Sequence, residues 1–321
     1  MKPLVLLFAA GVSLAPIDTT HSQTYPGRPI RLITSATAGA AADVLSRAVA
    51  GKLSELLGQQ VVVDNRPGAG ATIAAAIAAK EMPDGYTLLH CGIWDTIAPA
   101  LHQRLPYDLV RDFSAIALIG TTPNVLVVHP TVPATSVQEL IAFAKTHPGK
   151  LTYASGGVGT STHVSMELFK FMTTIDIVHV PYKGGPLLMA DLVAGRVSSM
   201  MSHLPAQLDN IRAGKIRGLA VSTLKRSSRL PELPTLAESG VPGFEVTVWH
   251  GLCAPAAVPH AIIATINGEV EKAVSSADLR SRLDQWGVDP QPSSSERFAA
   301  FIKSERSRWT KVVKDAGIRP Q

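Results

Sequence analysis

The sequence has little of the material from which metal centres and nucleic-acid surfaces are built. It contains two cysteines in 321 residues, and neither these nor the ten histidines form a CxxC, an HExxH or a cluster at metal-ligand spacing. A metal site is therefore not expected. Aromatic residues make up 5% of the chain, and its lysines and arginines do not run together, although the net charge is +5. This distribution argues against a nucleic-acid partner and fits a soluble surface or a weak bias toward anionic ligands.

Long apolar runs are also lacking. After the first residues, no segment offers the roughly 20 consecutive apolar residues that a membrane-spanning helix needs. The N-terminus has the pattern of a signal peptide: Lys2, a short apolar run over residues 4–14, Pro16, and small residues leading to a cut near Ser22. We therefore expect residues 1–22 to be cleaved and the mature protein to be exported, to a bacterial periplasm.

What the sequence does contain is a repeated alternation of strand-like and helix-like segments. A strand over residues 30–34 is followed by a small-residue loop and a helix over about 41–57, and the same order restarts near residue 151. This alternation predicts two α/β lobes with mostly parallel sheets. Two β-rich stretches, residues 115–128 (broken at Pro123) and 246–254, would cross between the lobes as a two-strand hinge. The predicted division is residues 23–122 and 246–321 for lobe 1 and 123–245 for lobe 2.

Two loops stand where such sheets bind ligands, outside the carboxyl ends of strands and before helices. One covers residues 35–43 (SATAGAAAD) and the other covers residues 155–163 (SGGVGTSTH). Each combines small residues with hydroxyls at a helix N-terminus, where free N–H groups and the helix dipole favour an anion. A single loop of this kind is as readily an ordinary capped turn. One loop in each predicted lobe favours an anion site between the lobes.

The second loop also allows an enzyme interpretation. Gly157 and Gly159 begin a sequence close to the dinucleotide fingerprint G-x-G-x-x-G, but Thr162 occupies the third position and no acidic residue ends the next strand. A phosphate-binding P-loop lysine and a G-x-S-x-G elbow are absent as well. Without a paired base and nucleophile, the sequence predicts no catalytic residue and no cofactor.

A few isolated side chains allow both a structural and a functional interpretation. His163, His179 and His203 fall near the predicted cleft, where single histidines are more often structural than catalytic. Asp43 fits a helix-dipole cap better than an acid or base. The two cysteines, Cys91 and Cys253, lie on strands that could be neighbours, and a disulfide between them is a hypothesis for an oxidising compartment.

The order of motifs resembles the substrate-binding proteins of tripartite tricarboxylate transporters, also called the Bug receptor family. The resemblance runs from residue 25 to the C-terminus. It rests on residues 25–30 (YPGRPI), 62–70 (VVDNRPGAG), 83–89 (PDGYTLL), 105–108 (LPYD), 153–160 (YASGGVGT) and 179–184 (HVPYKG).

The resemblance implies a type II periplasmic-binding-protein fold, in which two α/β lobes close on a carboxylate. It implies a periplasmic, monomeric, non-enzymatic receptor that delivers its ligand to membrane permease subunits. Another kind of binding protein, a sensory receptor, remains an alternative function. A nucleotide-dependent enzyme is the less favoured alternative. The candidate ligand-binding residues are Ser35, Thr37, Ala38, Gly39, Ala40, Ala41, Trp94, Ser155, Gly156, Gly157, Gly159, Thr160, His163, Lys183 and Ser202.

Three of these regions depart from the family pattern. The first loop lacks the usual Phe-Pro-x-Gly-Gly run and reads ATAGA over residues 36–40, the loop after the third strand carries Trp94, and Ser202 stands where an aspartate is usual. The changes remove ring bulk from one wall of the expected cleft and add an indole to another. We therefore expect Trp94 either to favour a bulkier or aromatic acid or to pack against lobe 1.

Overall fold

A computed structural model describes residues 25–182 and 185–318, with the side chains of residues 185 and 186 left out. The predicted signal peptide and Lys183 lie outside the described residues. The strands are β1 Ile30–Thr34, β2 Val61–Asn65, β3 Thr87–Gly92, β4 Phe113–Val128, β5 Thr152–Ser155, β6 Val178–Pro181, β7 Ser199–His203, β8 Arg217–Val221, β9 Thr247–Pro255 and β10 Asp289–Pro290.

Helices cover both faces of these strands. They are α1 Ala41–Leu57, α2 Thr72–Ala78, α3 Ile93–Leu101, α4 Val137–Thr146, α5 Ser161–Thr173, α6 Gly185–Val193, α7 Leu208–Arg212, α8 His260–Ser275, α9 Ala277–Gln285 and α10 Ser295–Asp315, with short 3-10 turns at Ala69–Ala71 and Leu204–Ala206. In the described part of the chain, no helix combines the length and the apolar character that crossing a membrane requires.

The strand order β2-β1-β3-β9-β4-β7-β5-β6 places two parallel units on either side of a central pair. In lobe 1, β1 pairs in parallel with β2 and β3, and in lobe 2, β5 pairs in parallel with β6 and β7. The two long antiparallel strands β4 and β9 join the lobes, as predicted for the hinge. The predicted fold class is confirmed.

The predicted break at Pro123 is wrong, because β4 runs through it as one strand of 16 residues. Up to Pro123 the strand pairs with β9, and from Asn124 onward it pairs with β7 and β8. The Asn124 N–H is not bonded to β9 and donates instead to Ser222 Oγ at 2.9 Å. Pro123, which has no N–H to donate, therefore marks the change of partner rather than the end of a strand.

The first α/β unit shows why the sequence prediction worked locally. The residues of β1 are almost fully buried, as expected for a strand covered on both faces. Helix α1 buries Leu45, Val49 and Leu53 on one stripe, and it ends at Gly58, which has φ +67°. A left-handed residue at this position favours glycine, so the helix stops where predicted.

Two elements were missed. Residues 93–95 were predicted as a loop, but they form the first turn of α3, where Asp95 Oδ2 accepts the Gly92 N–H at 2.9 Å and so stabilises the helix start. Helix α9 is short and polar, and it buries only Leu279 and Leu283. Such a helix has too little apolar periodicity to be recognised from sequence.

The C-terminal helices pack on lobe 1, as predicted. Helix α8 contacts α1 and β4, and α10 contacts α3 and β4. In this interface Trp249 of β9 meets Phe298 of α10 edge to face, with ring centroids 5.7 Å apart. The neighbouring Gly251 leaves open the space that the Phe298 ring occupies.

The two cysteines are joined. Cys91 of β3 and Cys253 of β9 form a disulfide with their Cα atoms 6.1 Å apart. The bond ties a parallel strand of lobe 1 to one of the two hinge strands. The hypothesis drawn from their positions in the sequence is therefore confirmed.

Candidate functional site

A cleft of about 780 Å³ lies between the lobes, at the carboxyl ends of the parallel strands. Its lining from lobe 1 comprises Ser35, Ala36, Thr37, Gly39, Ala40, Ala41, Ala42, Pro67, Gly68, Ala69, Gly70, Ala71 and Trp94. Its lining from lobe 2 comprises Gly156, Gly157, Thr160, Ser161, Thr162, Tyr182, Leu188, Met189, Met200, Ser202, His203, Ala206 and Gln207. This volume suits a small organic ligand.

The lobe 1 loop presents the start of α1 to the cleft. The N-cap residue Ala40 is extended and has no side chain able to cap the helix. The N–H groups of Ala41 and Ala42, in the first turn, have no acceptor within the helix. Both residues line the cleft, so these donors and the positive end of the helix dipole face a ligand.

Asp43 holds this loop from behind. Its carboxylate accepts the Gly39 N–H at 2.8 Å and the Asn65 amide at 2.8 Å, and it forms an ion pair with Arg47. Burial opposes ionisation, but the hydrogen bonds from Asn65 and Gly39 and the contact with Arg47 outweigh it and lower the pKa of Asp43. The residue therefore fixes the loop, in agreement with the capping interpretation.

The lobe 2 loop is built differently. Thr160 is the N-cap of α5, and its hydroxyl oxygen accepts the His163 N–H at 3.4 Å. The same hydroxyl donates to the Gly157 carbonyl at 2.7 Å, which closes the loop on itself. The N–H groups of Ser161 and Thr162 remain without an intrahelical acceptor and lie at the cleft. Each lobe therefore places two uncapped first-turn residues at the cleft, and in lobe 2 the next N–H, that of His163, is taken up by Thr160.

Several predicted site residues support this loop and do not line the cleft. Ser155 is fully buried, and its hydroxyl pairs with His179 Nε2 at 2.6 Å while accepting the Gly157 N–H at 3.1 Å. His163 lies beside His179, with ring centroids 4.6 Å apart, and burial lowers the pKa of His163 to about 4. Ala38 and Gly159 also lie outside the cleft lining.

Trp94 lies at the start of α3 and is both a wall of the cleft and a packed residue. Its ring lies over the backbone of Gly92, where no side chain could be accommodated. It makes edge contacts with His90 and His250, each with centroids 5.8 Å apart, and is 7% exposed. The indole is therefore held in one orientation while one part of it faces the cleft.

A set of buried histidines underlies Trp94 and spans the hinge. Ser46 Oγ lies 2.6 Å from His90 Nδ1, and His90 Nε2 lies 3.1 Å from His250 Nδ1. His203 of lobe 2 meets His250 edge to face at 6.4 Å. Burial lowers the pKa of His90 to about 4 and that of His250 well below its usual value. The network is therefore neutral near pH 7 and adds no charge to the cleft.

Sequence reasoning missed most of the lobe 2 wall. Leu188, Met189 and Met200 supply apolar surface, and Gln207 adds a polar group. His203, which the sequence placed near the cleft, also lines it. Met200 to His203 end β7, so the rule that placed the two loops at strand ends applies to them as well. The residues of α6 have no comparable signal in the sequence, because helical apolar residues are equally typical of a core.

The lobes approach each other across the mouth of the cleft. A Cβ atom added to Gly70 of lobe 1 would lie 2.7 Å from the carbonyl oxygen of Val158 in lobe 2. One added to Gly159 would lie 3.6 Å from Leu101 Cδ1. Gly70 has φ +63°, so glycine meets both the conformational and the spatial requirement. The structure therefore corresponds to a closed cleft.

Charge is sparse around this volume. Among residues 25–182 and 185–318, no Lys, Arg, Asp or Glu lines the cleft. Within the same described segments, no group of three or more His, Cys, Asp or Glu side chains is arranged to hold a metal ion. The described lining therefore offers backbone N–H groups, hydroxyls, His203, Gln207 and apolar surface.

Comparison with known proteins agrees with this arrangement. The profile described as "Tripartite tricarboxylate transporter family receptor" matches residues 45–318. Protein BugT of Bordetella pertussis is 34% identical over 98% of this chain and 96% of its own length. A protein described by its place in the tcbD-tcbE intergenic region of a Pseudomonas species is 38% identical over 95% of this chain and 92% of its own length.

Solved structures extend the similarity to the fold. The Rhodopseudomonas palustris protein Rpa4515 with adipate is 38% identical, with a TM-score of 0.88 over 92% of this chain and 100% of that one. MatC of the same organism, with bound malate, is 30% identical, with a TM-score of 0.85 over 90% of this chain and 100% of that one. The chain belongs to the tripartite tricarboxylate transporter receptor family, whose members are solute-binding proteins of the periplasmic type and not enzymes.

Proposed function

We propose that this protein captures a small organic carboxylate in the cleft and holds one carboxylate at the first turn of α1. The observation that carries the proposal is the uncapped helix start, where Ala41 and Ala42 turn free N–H donors toward a cleft without a lining cation in the described residues. An anion at a helix N-terminus is stabilised by both the donors and the dipole. The adipate and malate bound by the two Rhodopseudomonas relatives support the ligand class.

The contacts follow from the cleft lining. Ser35, Thr37, Ala40 and Ala41 would hold the carboxylate from lobe 1, and Gly156, Gly157 and Thr160 would approach the ligand from lobe 2. Ser155 and His163 would keep the lobe 2 loop in shape from behind. Lobe closure would shield these hydrogen bonds from water and so strengthen them.

The proposal has three further parts. The protein delivers its ligand to the permease subunits of a tripartite transporter, it is exported after removal of residues 1–22, and it is a monomer. Family membership supports delivery and export. The change of partner of β4 after Pro123 supports a division at residues 122 and 123, and the start of β9 at Thr247 supports the second division near residue 246.

A proline substitution tests the helix start directly. Ala41→Pro removes one N–H donor, yet proline is well tolerated at the first helical position, and the extended Ala40 before it (φ −71°, ψ 159°) suits a pre-proline residue. The control is Ala277→Pro, at the first position of α9 after an extended Ser276 and away from the cleft. Losing a hydrogen bond to a charged group costs about 1.5–3 kcal/mol, so the affinity for a carboxylate should fall roughly 10- to 100-fold in Ala41→Pro alone.

The ligand for this test comes from a thermal-shift screen of the mature protein against dicarboxylates, tricarboxylates, aromatic acids and nucleotides. A ligand at a hundredfold excess over its Kd adds about 2.7 kcal/mol to the free energy of unfolding. Stabilisation by one class of carboxylate supports the proposal. Stabilisation by nucleotides alone, or equal affinity of both proline variants for the carboxylate, contradicts it.

Trp94 belongs to the same proposal as a selector of bulkier or aromatic acids. Its fixed ring offers a flat apolar surface, on which an aromatic ligand would gain about 0.5–1.5 kcal/mol beyond area burial. We expect Trp94→Leu to lower the affinity for an aromatic acid about fivefold relative to an aliphatic acid of similar size. An unchanged ratio of the two affinities would leave Trp94 as a packing residue only.

A further inference from the structure

In the lobe 2 wall of the cleft, Gln207 restricts the Ser202 hydroxyl to one hydrogen-bonding role. Gln207 Nε2 donates to Ser202 Oγ at 2.9 Å. Both residues line the cleft, where Gln207 is 2% exposed and Ser202 is 7% exposed. A hydroxyl has one proton to donate and two lone pairs to accept with. The amide occupies an accepting position, and no acceptor for the Ser202 proton is present among the described residues.

The orientation of the amide supports this assignment. As placed, Gln207 leaves the oxygen Oε1 and one of its two Nε2 protons without a partner. The flipped amide would let Ser202 donate to Oε1, but it would leave both Nε2 protons unpaired. Unpaired buried N–H groups are rarer in proteins than under-satisfied carbonyl oxygens. The donating amide is therefore the favoured arrangement, and the Ser202 proton is left for the cleft.

The surroundings limit what this proton meets. Trp94, Met200 and the neutral His203 line the same cleft as Ser202. An aspartate here would accept hydrogen bonds and repel an anion. A serine whose oxygen already accepts a hydrogen bond supplies an uncharged donor.

We propose that Ser202 is a specificity-determining residue that selects ligands carrying a hydrogen-bond acceptor, a second carboxylate or a carbonyl, in addition to the carboxylate held at α1. Gln207 is the positioning residue that directs the Ser202 proton into the cleft. The inference rests on the proposed function, because it takes the first carboxylate to be bound at α1.

Matched ligands separate the two claims. Hexanoate, 5-oxohexanoate and adipate each have six carbons and a carboxylate at C1. Hexanoate has no acceptor at the other end of its chain, 5-oxohexanoate has a carbonyl at C5, and adipate has a second carboxylate at C6. The shorter and longer homologues of each cover differences in reach. In Ser202→Ala we expect the affinity to fall about fivefold for the ketone and about thirtyfold for the dicarboxylate, and to remain within twofold for hexanoate.

The control is Ser199→Ala. Ser199 lies on the same strand and is fully buried, but its hydroxyl donates to the Thr152 carbonyl at 2.9 Å and does not line the cleft. This change should alter the free energy of unfolding without altering the ratio of affinities for adipate and hexanoate. Gln207→Leu should lower that same ratio, which a purely structural role would leave unchanged.

Each outcome decides the question. An unchanged ratio in Ser202→Ala and Gln207→Leu, with carboxylate binding intact, overturns this inference and leaves the proposed function standing. Absence of binding by all three ligand series, when the thermal-shift screen has found a carboxylate of another class, overturns this inference and leaves the proposed function standing. Absence of binding by any carboxylate overturns both. A ratio that falls in Ser202→Ala and Gln207→Leu but not in Ser199→Ala supports the assignment.

Discussion

The buried histidines of the hinge make the stability of this protein depend on pH in a calculable way. His90 is completely buried between Ser46 and His250, and burial lowers its pKa from 6.5 to about 4. The folded protein therefore holds fewer protons at this site than the unfolded chain between these two pH values. Unfolding takes up a proton, so stability is full above pH 6.5 and is lost as the pH falls toward 4.

The magnitude follows from the two pKa values. The full shift corresponds to about 3.4 kcal/mol, and at pH 5 about 2 kcal/mol of it has been lost relative to pH 7.5. His203, with a pKa of about 4, and His250 act in the same direction. Asp95 acts in the opposite direction, because burial raises its pKa to about 7 and the folded form retains its proton.

The assay is urea unfolding of the unaltered protein and of His90→Asn at pH 7.5 and pH 5. Asparagine keeps a polar group beside Ser46 and does not titrate, so the loss of stability on acidification should be about 2 kcal/mol smaller in the variant. The contribution of Asp95 is common to both proteins and cancels in the comparison. The control is His260→Asn, since His260 is exposed and lies outside the buried histidine set. Equal losses in the unaltered protein and His90→Asn would refute the reasoning.

Two further predictions concern closure and the hinge. Gly70→Ala should weaken ligand binding about tenfold in calorimetric titration, because its Cβ would meet the Val158 carbonyl oxygen only when the lobes are closed. The control is Gly58→Ala, which has a similar φ and open space around it. It should carry the same backbone strain without changing the affinity. Loss of affinity in both variants would contradict the closure argument. Replacing Cys91 and Cys253 by alanine opens a loop of 162 residues and should lower the free energy of unfolding by up to about 5 kcal/mol. A double variant as stable as the oxidised protein would contradict the prediction, because it would mean that removing the disulfide does not increase the conformational entropy of the unfolded chain.

Local signals were sufficient where one chain segment determines its own structure. The bounds of β1 and α1 agree with the prediction because a short, mostly apolar run, a stripe of leucine and valine, and a terminal glycine all act within a few residues. Helix α3 was missed because its start depends on an aspartate at the third position rather than on a capping residue before the helix.

The cleft shows the opposite case. Its lobe 1 loop was recognisable, since small residues after a buried strand are a local pattern. The side chain of Gln207 reaches the cleft only because β7, which leads to it, pairs with the long strand β4, and no spacing along the chain indicates that contact. Whether Ser155 faces a ligand was likewise undecided by sequence, because its hydroxyl has a second partner, His179, 24 residues away.

The three positions that the sequence analysis singled out, Ala36, Trp94 and Ser202, line the same cleft. Trp94 also belongs to the packed core, so its replacement would change both the stability and the cleft wall. Ser202 offers a hydroxyl to the cleft without adding charge. A shared fold does not determine which ligand is bound. The ligand of this protein therefore has to be argued from the side chains that line the cleft and not from the 38% identity to the relative solved with adipate.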